Sequence, residues 1–333
     1  MAKVCIIVVD NGFFVIIVIY FYLFRPINIK KTILQNEILE IRDVSKSYGR
    51  LKALDSLSLT VERGSVFGIL GPNGSEKTTT LGILLDIIKP DRGNYFWFGK
   101  KPDATIRKRI GALLEQPLFY PYLTAVQNLK IIADIRGVRY EEIDEVLDMV
   151  RLSDRKWYKC NSFSFGMKQR LAIAAAMLGK PEVLILDEPT NGLDPKGIAD
   201  IRNLIVKVAK MGFTIILASH LLDEVEKVCT HVLVLEKGKK RYAGPVNEAL
   251  GNSFIIEVAA PDLLSLQSAL KQIPQVKTIT RQNTMFVLNV HDDLTPDLLN
   301  RKLSDQGIYL THLAVRNKSL EKYFLELLSD GHE

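Results

Sequence analysis

The chain has few cysteines, and none is spaced for shared chemistry. Of its 333 residues only Cys5, Cys160 and Cys229 are cysteines, and no two of them form a CxxC pair. An odd number of scattered thiols excludes a disulfide-stapled scaffold and a zinc ribbon, and it indicates a reducing compartment.

A concentrated block of positive charge is also missing. The formal net charge is +6, but half of it lies in residues 1–36, where four cations face the single acid Asp10. The rest of the chain is nearly balanced, and no run of lysine or arginine resembles the stripe that follows a nucleic-acid backbone. We therefore predict no nucleic-acid partner.

The N-terminal segment is almost entirely apolar. Residues 4–24 read VCIIVVDNGFFVIIVIYFYLF, about the length that a membrane-spanning helix needs, with Asp10 inside it. An aspartate at the centre of such a helix costs roughly 2.5–3.5 kcal/mol. The segment is compatible with a membrane anchor, with a stretch translated ahead of a normal start near Ile38, and with a signal peptide or buried hairpin. We treat residues 1–36 as an extension that the remaining chain does not need in order to fold.

The chain after Glu37 alternates strands with helices. Short runs rich in valine, isoleucine and leucine predict strands buried on both faces of a mostly parallel sheet, at 65–70, 111–115, 182–187, 213–219 and 231–235. No such run occurs between 119 and 180. Instead, Thr124 can cap a helix that continues to about Arg136, and a second helix fits Glu141–Val150. These features predict a helical subdomain at about 119–180 inside an α/β domain.

A break in composition at 244–252 predicts a second domain. Beyond it the elements follow the order β-α-β-β-α-β of a ferredoxin-like unit, and a closing helix is expected at 319–328. The strands are expected at 253–259, 275–281, 284–290 and 308–316, and the helices at 261–272 and 295–306. We therefore predict an α/β domain over 37–250 and a small α+β domain over 251–333.

A glycine-rich loop follows the first strand of the α/β domain. This strand–loop–helix order is the context of a P-loop, whose backbone N–H groups cradle phosphates. Lys77 would reach the β- and γ-phosphates, and the Thr78 hydroxyl would bind Mg²⁺. The motif requires glycine where this chain has Glu76, so the alternative is an ordinary turn before a helix. The candidate phosphate-binding residues are Gly71, Pro72, Asn73, Gly74, Ser75, Glu76, Lys77, Thr78 and Thr79.

Polar residues end three other predicted strands. The strand 182–187 ends in Asp187, placed to hold Mg²⁺, and Glu188 follows it, placed to polarise an attacking water. Gln116 and His220 follow two further strands, and each taken singly is an ordinary polar residue at a strand end. The segment SFSFGMKQR at 162–170 precedes an alanine-rich helix, whose N-terminus offers a second anion site.

Together, and in this order, these motifs resemble the nucleotide-binding subunit of ATP-binding-cassette (ABC) transporters over about 38–250. The resemblance implies an α/β P-loop NTPase fold with a helical subdomain, ATP and Mg²⁺ as ligands, and a role for each motif. It assigns Tyr48 to adenine stacking, Gln116 to the Q-loop with a catalytic and Mg²⁺-binding role, Ser164, Gly166 and Met167 to the signature, Asp187 and Glu188 to Walker B, Asn191–Asp194 to the D-loop, and His220 to the switch.

Two departures from the family pattern stand out. In the signature, Phe165 replaces the commonest glycine and Met167 the commonest glutamine, while Ser164 and Gly166 are retained. Glu76 is the more serious departure, because it adds a negative charge to a triphosphate site. A like-charge contact near 4 Å costs about 4 kcal/mol at an effective dielectric constant of 20, and a third of that is about tenfold in affinity. We expect Glu76 either to repel phosphate or to pair with Lys77, unless its side chain turns out to solvent.

The resemblance implies the ATPase subunit of a membrane exporter. Such subunits dimerise head to tail, here as a homodimer, with each ATP held between the phosphate loop of one copy and the signature of the other. A membrane permease would be the partner, which implies a peripheral location at the cytoplasmic face of the cell membrane. Subunits of this type export antimicrobial peptides, drugs or lipids. A degenerate cassette with little ATPase activity remains the alternative; a ribosomal or DNA-associated ABC protein is disfavoured by the single phosphate loop and the lack of a heptad run.

Overall fold

The computed structural model describes residues 4–10, 13–19, 36–72, 74–250, 254–291 and 293–317. In chain order, the strands are β1 (Val4–Asp10), β2 (Phe13–Ile19), β3 (Glu37–Tyr48), β4 (Leu51–Glu62), β5 (Val66–Leu70), β6 (Arg92–Trp97), β7 (Ile110–Leu113), β8 (Val183–Asp187), β9 (Thr214–Ser219), β10 (His231–Glu236), β11 (Lys239–Pro245), β12 (Phe254–Ala259), β13 (Val276–Gln282), β14 (Met285–Val290) and β15 (His312–Asn317). The helices are α1 (Lys77–Leu84), α2 (Ala104–Lys108), α3 (Ala125–Arg136), α4 (Glu141–Met149), α5 (Phe165–Met177), α6 (Pro195–Lys210), α7 (Leu222–Val228), α8 (Val246–Leu250), α9 (Leu263–Lys271) and α10 (Pro296–Ser304).

A six-stranded sheet of order β11-β10-β5-β9-β8-β7 forms the centre of the α/β domain. Neighbouring strands run parallel from β10 to β7, and only β11 is antiparallel. Every residue of β5, β8 and β9 is buried, as their unbroken apolar sequences predict. The parallel register brings the carboxyl ends of these strands to one edge of the sheet.

A second, antiparallel sheet of order β4-β3-β6 packs beside the helix that follows the phosphate loop. Trp97 is fully buried there, and its Nε1–H donates to the carbonyl of Leu84 at the end of α1, 2.9 Å away. The apolar residues of this second sheet share one buried cluster with residues of β5, α1 and β8. The two sheets therefore form one body around α1.

Helices α3, α4 and α5 form the predicted helical subdomain. Thr124 caps α3 through a capping box with Gln127, and Gly137 ends the helix at φ +68°. The Arg136 guanidinium donates to the carbonyls of Leu178 (2.6 Å) and Ile110 (2.9 Å), so it ties α3 to the end of α5 and to β7.

The C-terminal unit has the sheet order β13-β14-β12-β15, with all neighbours antiparallel. This order and the helices α9 and α10 confirm the predicted ferredoxin-like arrangement. Its last described strand begins at His312 rather than at 308, because Gly307 at φ +75° ends the α10 segment and the Ile308 amide still donates to the carbonyl of Leu303. The helix predicted at 319–328 lies outside the described residues.

The N-terminal strands β1 and β2 pair antiparallel, with Val4 opposite Ile19 and Asp10 opposite Phe13. The predicted alternative of a helical anchor therefore does not hold for these residues, whose many β-branched side chains favour strands. Across the described residues, no helix has both the length and the apolar character needed to cross a membrane.

Candidate functional site

Four loops meet at the carboxyl edge of the central sheet. The phosphate loop follows β5, Asp187 and Glu188 end β8, His220 follows β9 and Gln116 follows β7. Since these strands are adjacent and parallel in the order β5-β9-β8-β7, residues far apart in sequence become neighbours at this edge. Open α/β sheets bind ligands at this edge.

The phosphate loop turns tightly at two glycines. A Cβ at Gly71 would overlap the Ser75 hydroxyl and the carbonyl of Leu235, and Gly74 has φ +78°. The Ser75 amide donates to the carbonyl of Pro72, 3.1 Å away. The Ser75 Oγ is buried and has no hydrogen-bond partner among the described residues. Asn73, the remaining predicted loop residue, lies outside them.

Lys77 is buried within the loop that precedes it. Its Nζ donates to the carbonyls of Gly71 (2.8 Å) and Pro72 (3.3 Å) and lies 3.4 Å from Glu188 Oε1. The side chain is only 6% exposed, so the loop holds a positive charge that a carboxylate already offsets.

Among the described residues, Glu76 does not pair with Lys77, which was one of the two outcomes predicted for it. Its Oε2 accepts a hydrogen bond from Thr79 Oγ1, 2.8 Å away, so its carboxylate lies along the first turn of α1. Glu76 also has φ +70°, a left-handed conformation that glycine adopts readily and other residues adopt at a cost. Backbone conformation therefore gives a reason for glycine at this position of the motif, whereas the sequence alone pointed to charge. The hydrogen-bonding pattern also places Thr79, a predicted phosphate ligand, against Glu76.

Thr78 and Asp187 lie together under the loop. Thr78 Oγ1 donates to Asp187 Oδ2, 3.1 Å away, while Asp187 Oδ1 is buried and has no partner within the described ranges. Burial raises the pKa of the Asp187 carboxyl, and the nearby charges of Glu188 and Glu115 raise it further. Mg²⁺ prefers oxygen ligands, so an unpartnered carboxylate oxygen beside a hydroxyl fits that ion.

Gln116 is exposed in the loop after β7 and makes no hydrogen bond to Asp187 or Thr78. The structure therefore brings Gln116 to the same sheet edge without joining it to the predicted Mg²⁺ ligands. The charge of its neighbour Glu115, like that of Glu188, raises the pKa of the Asp187 carboxyl, and sequence reasoning did not identify Glu115. The only sequence feature that points to Glu115 is its position just after the end of a strand.

Glu188 connects the lysine and the histidine of the site. Its Oε2 lies 2.8 Å from His220 Nδ1, and its Oε1 faces Lys77 Nζ. Glu188 has φ +46°, and its amide donates to the carbonyl of Ala218 on β9. A carboxylate held between a lysine and a histidine can accept a proton from a neighbouring water.

The signature segment begins α5 at a separate surface. Ser164 caps the helix, since its Oγ accepts a hydrogen bond from the Met167 amide at 3.3 Å. Phe165 lies beside Gly192 of the D-loop, where a Cβ would be 3.4 Å from the aromatic ring. Gly166 is next to Leu193. Within the described chain, no hydrogen bond or ion pair joins this segment to the phosphate loop.

Tyr48 ends β3, and 47% of it is exposed. The ammonium of Lys46 lies 5.6 Å from the centre of its ring. The sequence predicted the aromatic residue, but it gave no reason to single out Lys46.

Comparison with known proteins agrees with this architecture. A sequence profile described as "ABC transporter" matches residues 54–191. The chain is 38% identical to the bacitracin transport ATP-binding protein BcrA of Bacillus licheniformis over 88% of this chain and 98% of that protein. It is 35% identical to the lantibiotic transport ATP-binding protein SrtF of Streptococcus pyogenes, over 66% of this chain and 99% of that protein.

Solved structures show the same fold. The subunit cbiO1 from Clostridium perfringens, part of the ABC transporter complex cbiONQ, has a TM-score of 0.59 at 31% identity, covering 64% of this chain and 90% of that one. A dimeric ATP-binding cassette in a post-hydrolysis state with ADP and Pi has a TM-score of 0.57 at 27% identity, covering 63% and 99%. With its phosphate loop, Walker B strand and signature helix in these positions, the chain belongs to the ATP-binding subunits of ABC transporters, a family of ATPases.

Proposed function

We propose that this chain binds and hydrolyses ATP as the ATPase subunit of an exporter, working as a homodimer with a membrane permease at the cytoplasmic face. The observation that carries the proposal is the chain of contacts from Thr78 to Asp187 and from Lys77 through Glu188 to His220. Each step is between 2.8 and 3.4 Å, and the residues come from three different strand ends.

The phosphate groups of ATP would bind at the N-terminus of α1. Backbone N–H groups of the loop and the Lys77 ammonium supply positive charge there. Lys77 Nζ lies 3.4 Å from Glu188 Oε1, so a phosphate bound in the loop would compete with that carboxylate for the lysine. Thr78 and Asp187, with Gln116 from the loop after β7, would hold Mg²⁺, which when bound offsets the charge of the phosphates.

Hydrolysis would then use Glu188 as the general base. A water oxygen attacks the γ-phosphorus, Glu188 accepts the water proton, and the bond from the γ-phosphorus to the β–γ bridging oxygen breaks to leave ADP. His220 would orient Glu188 through the 2.8 Å contact to its Nδ1 and would contact the γ-phosphate.

The second copy is needed to complete the site. The capped start of α5, with Ser164, Gly166 and Met167, makes no hydrogen bond or ion pair with the phosphate loop of its own chain in the part described. A helix N-terminus attracts anions, so we infer that it meets the nucleotide of a partner subunit. The dimeric cassette among the solved structures supports this arrangement.

The relatives suggest the cargo. Two are named for the transport of bacitracin and of lantibiotics, and we propose a peptide antibiotic as the exported molecule. Deleting the gene in its own host should lower resistance to such a peptide, and restoring the chain should recover it. Unchanged resistance to both peptide classes would contradict this assignment.

The catalytic roles can be tested in the full chain carrying Glu76→Gly. Glu188→Gln should retain ATP binding and slow turnover by about 10²–10⁴-fold, the usual contribution of a general base. Glu188→Gln should also trap a dimer, and His220→Ala should lower turnover similarly. Glu145→Gln, which removes an exposed ion pair with Lys180, is the matched control and should hydrolyse at the parent rate. Hydrolysis at the parent rate in Glu188→Gln would remove it from the role of base.

A second candidate function is a degenerate cassette that dimerises or regulates without hydrolysis. The position of Glu76 favours it, because its carboxylate lies along the first turn of the helix whose N-terminus should receive phosphate. Titration of the natural chain with ATP separates the two candidates. Saturation at the affinity of Glu76→Gly would favour the ATPase, and absence of binding would favour the degenerate cassette.

A further inference from the structure

A single aspartate holds the end of the strand that carries Tyr48. The Asp91 amide donates to the carbonyl of Ser45 (2.9 Å), and Asp91 Oδ2 accepts from the Ser47 amide (2.7 Å). Its Oδ1 accepts from Lys46 Nζ, 2.9 Å away. Asp91, through its carboxylate and its backbone amide, therefore forms hydrogen bonds to three successive residues of β3.

The same interaction fixes a cation beside the Tyr48 ring. The Lys46 ammonium is 5.6 Å from the ring centre, within the range of a cation–π contact. The Lys46 side chain is 17% exposed, whereas Tyr48 is 47% exposed. The lysine thus lies against the ring while much of the ring stays open to a ligand.

Asp91 also connects this strand to the phosphate site along the chain. It lies in the turn between α1, which begins at the phosphate loop, and β6. Tyr48 faces Leu51 at the closed end of the β3–β4 hairpin, next to Gly49 at φ +60°. The base-binding end of the hairpin is therefore attached to the segment that follows the phosphate-binding helix.

We propose that Asp91 and Lys46 are positioning residues for base recognition. They hold the Tyr48 ring in one orientation, so that the purine of ATP stacks on its open part when the phosphates occupy the loop. The inference rests on the proposed nucleotide binding, and it adds two residues that contact neither phosphate nor base. If the inference holds, substitutions of these residues change the affinity for ligands that contain a base and do not change the affinity for a phosphate chain without one.

The test compares ATP with inorganic tripolyphosphate, each titrated with Mg²⁺ into the full chain carrying Glu76→Gly. Tyr48→Ala should weaken ATP binding by about tenfold or more, the usual effect of removing a stacking platform. Asp91→Asn and Lys46→Met should each weaken it by about threefold to tenfold. Lys46→Arg, unlike Lys46→Met, should bind ATP with the affinity of the parent. All variants should bind tripolyphosphate with the affinity of the parent.

Asp86→Asn serves as the matched control. Asp86 follows α1 as Asp91 does and forms a comparable ion pair with Arg107 at 2.7 Å, but it does not contact β3 through that pair. Asp86→Asn should leave the affinities for ATP and for tripolyphosphate unchanged.

Each negative result would overturn a different part of the proposal. Equal losses of ATP and tripolyphosphate in Asp91→Asn would overturn the proposal, since Asp91 would then support the fold in general. Full ATP affinity in Asp91→Asn beside a loss in Tyr48→Ala would overturn the positioning role and leave the nucleotide site standing. No loss in Tyr48→Ala would overturn the stacking role itself. Failure of the Glu76→Gly parent to bind either ligand would overturn the proposed function, and this inference with it.

Discussion

At the scale of single residues, Glu76 has two separable effects, a conformational cost to folding and an expected penalty on phosphate binding. Its backbone has φ +70°, which costs a residue with a Cβ roughly 1–2 kcal/mol relative to glycine. Its carboxylate, bonded to Thr79, adds negative charge to the first turn of α1, where the helix dipole favours an anionic ligand. The first effect acts on folding, and the second acts on phosphate.

Substitutions at position 76 should separate these effects. Glu76→Gly should restore ATP affinity fully and raise the free energy of unfolding by about 1 kcal/mol, because it removes both the charge and the conformational cost. Glu76→Gln should restore ATP affinity only in part and leave the unfolding free energy unchanged. Calorimetric ATP titration and urea unfolding of the three proteins measure both quantities. Equal ATP affinity in the natural chain and Glu76→Gly would refute the charge argument.

Local sequence predicted the candidate site residues but only some of their contacts. The strand–loop–helix pattern identified Lys77 and Thr78, and the strand end identified Asp187, since these depend on short-range order. Position 76 looked like a charge problem because a φ angle has no sequence signature apart from glycine itself. Asp91 and Lys46 were missed because their contact joins residues 45 positions apart.

At the scale of elements, the close packing of α5 on β7 positions the signature helix. A Cβ at Gly111 would overlap the carbonyl oxygen of Ala176, near the end of α5, so glycine is needed there for contact. Arg136 adds hydrogen bonds from α3 to the same two elements. The helices themselves were predictable from caps such as Thr124, whereas their packing against β7 was not.

Gly111→Ala should therefore destabilise the chain by about 1–3 kcal/mol, the usual cost of forcing an atom into a packed interface. Thermal or urea unfolding measures this change. Ala112→Ser, at the exposed neighbouring position of β7, is the control and should leave the unfolding midpoint unchanged. An unchanged midpoint in Gly111→Ala would show that α5 can shift away from β7 freely.

At the scale of the whole molecule, the C-terminal unit has its own apolar core. Buried residues from β12, β14, α9 and α10 form a cluster separate from the two clusters of the α/β domain. The sequence predicted this unit from its change of pattern after 244–252, because each strand and helix carries its own hydrophobic period. The boundaries at 37–250 and 251–333 remain predictions.

Removal of the C-terminal unit should leave nucleotide binding intact. A chain ending after Gly251 in the Glu76→Gly background should bind ATP within a few-fold of the full-length protein, since every predicted nucleotide residue precedes that point. Titration of both lengths makes the comparison. A loss of about a hundredfold would mean that the unit contributes to the site.

The left-handed backbone at position 76 also predicts which substitutions a genetic selection should recover at this codon. A single base change converts a glutamate codon into one for glycine, aspartate, glutamine, lysine, alanine or valine. Aspartate tolerates a positive φ better than most residues but retains the charge, while glutamine and lysine lose the negative charge and keep the conformational cost. Alanine and valine also lose the charge and keep a conformational cost, which is greatest for the β-branched valine. Under selection for resistance to an exported antibiotic, clones with glycine at this codon should outnumber all the others.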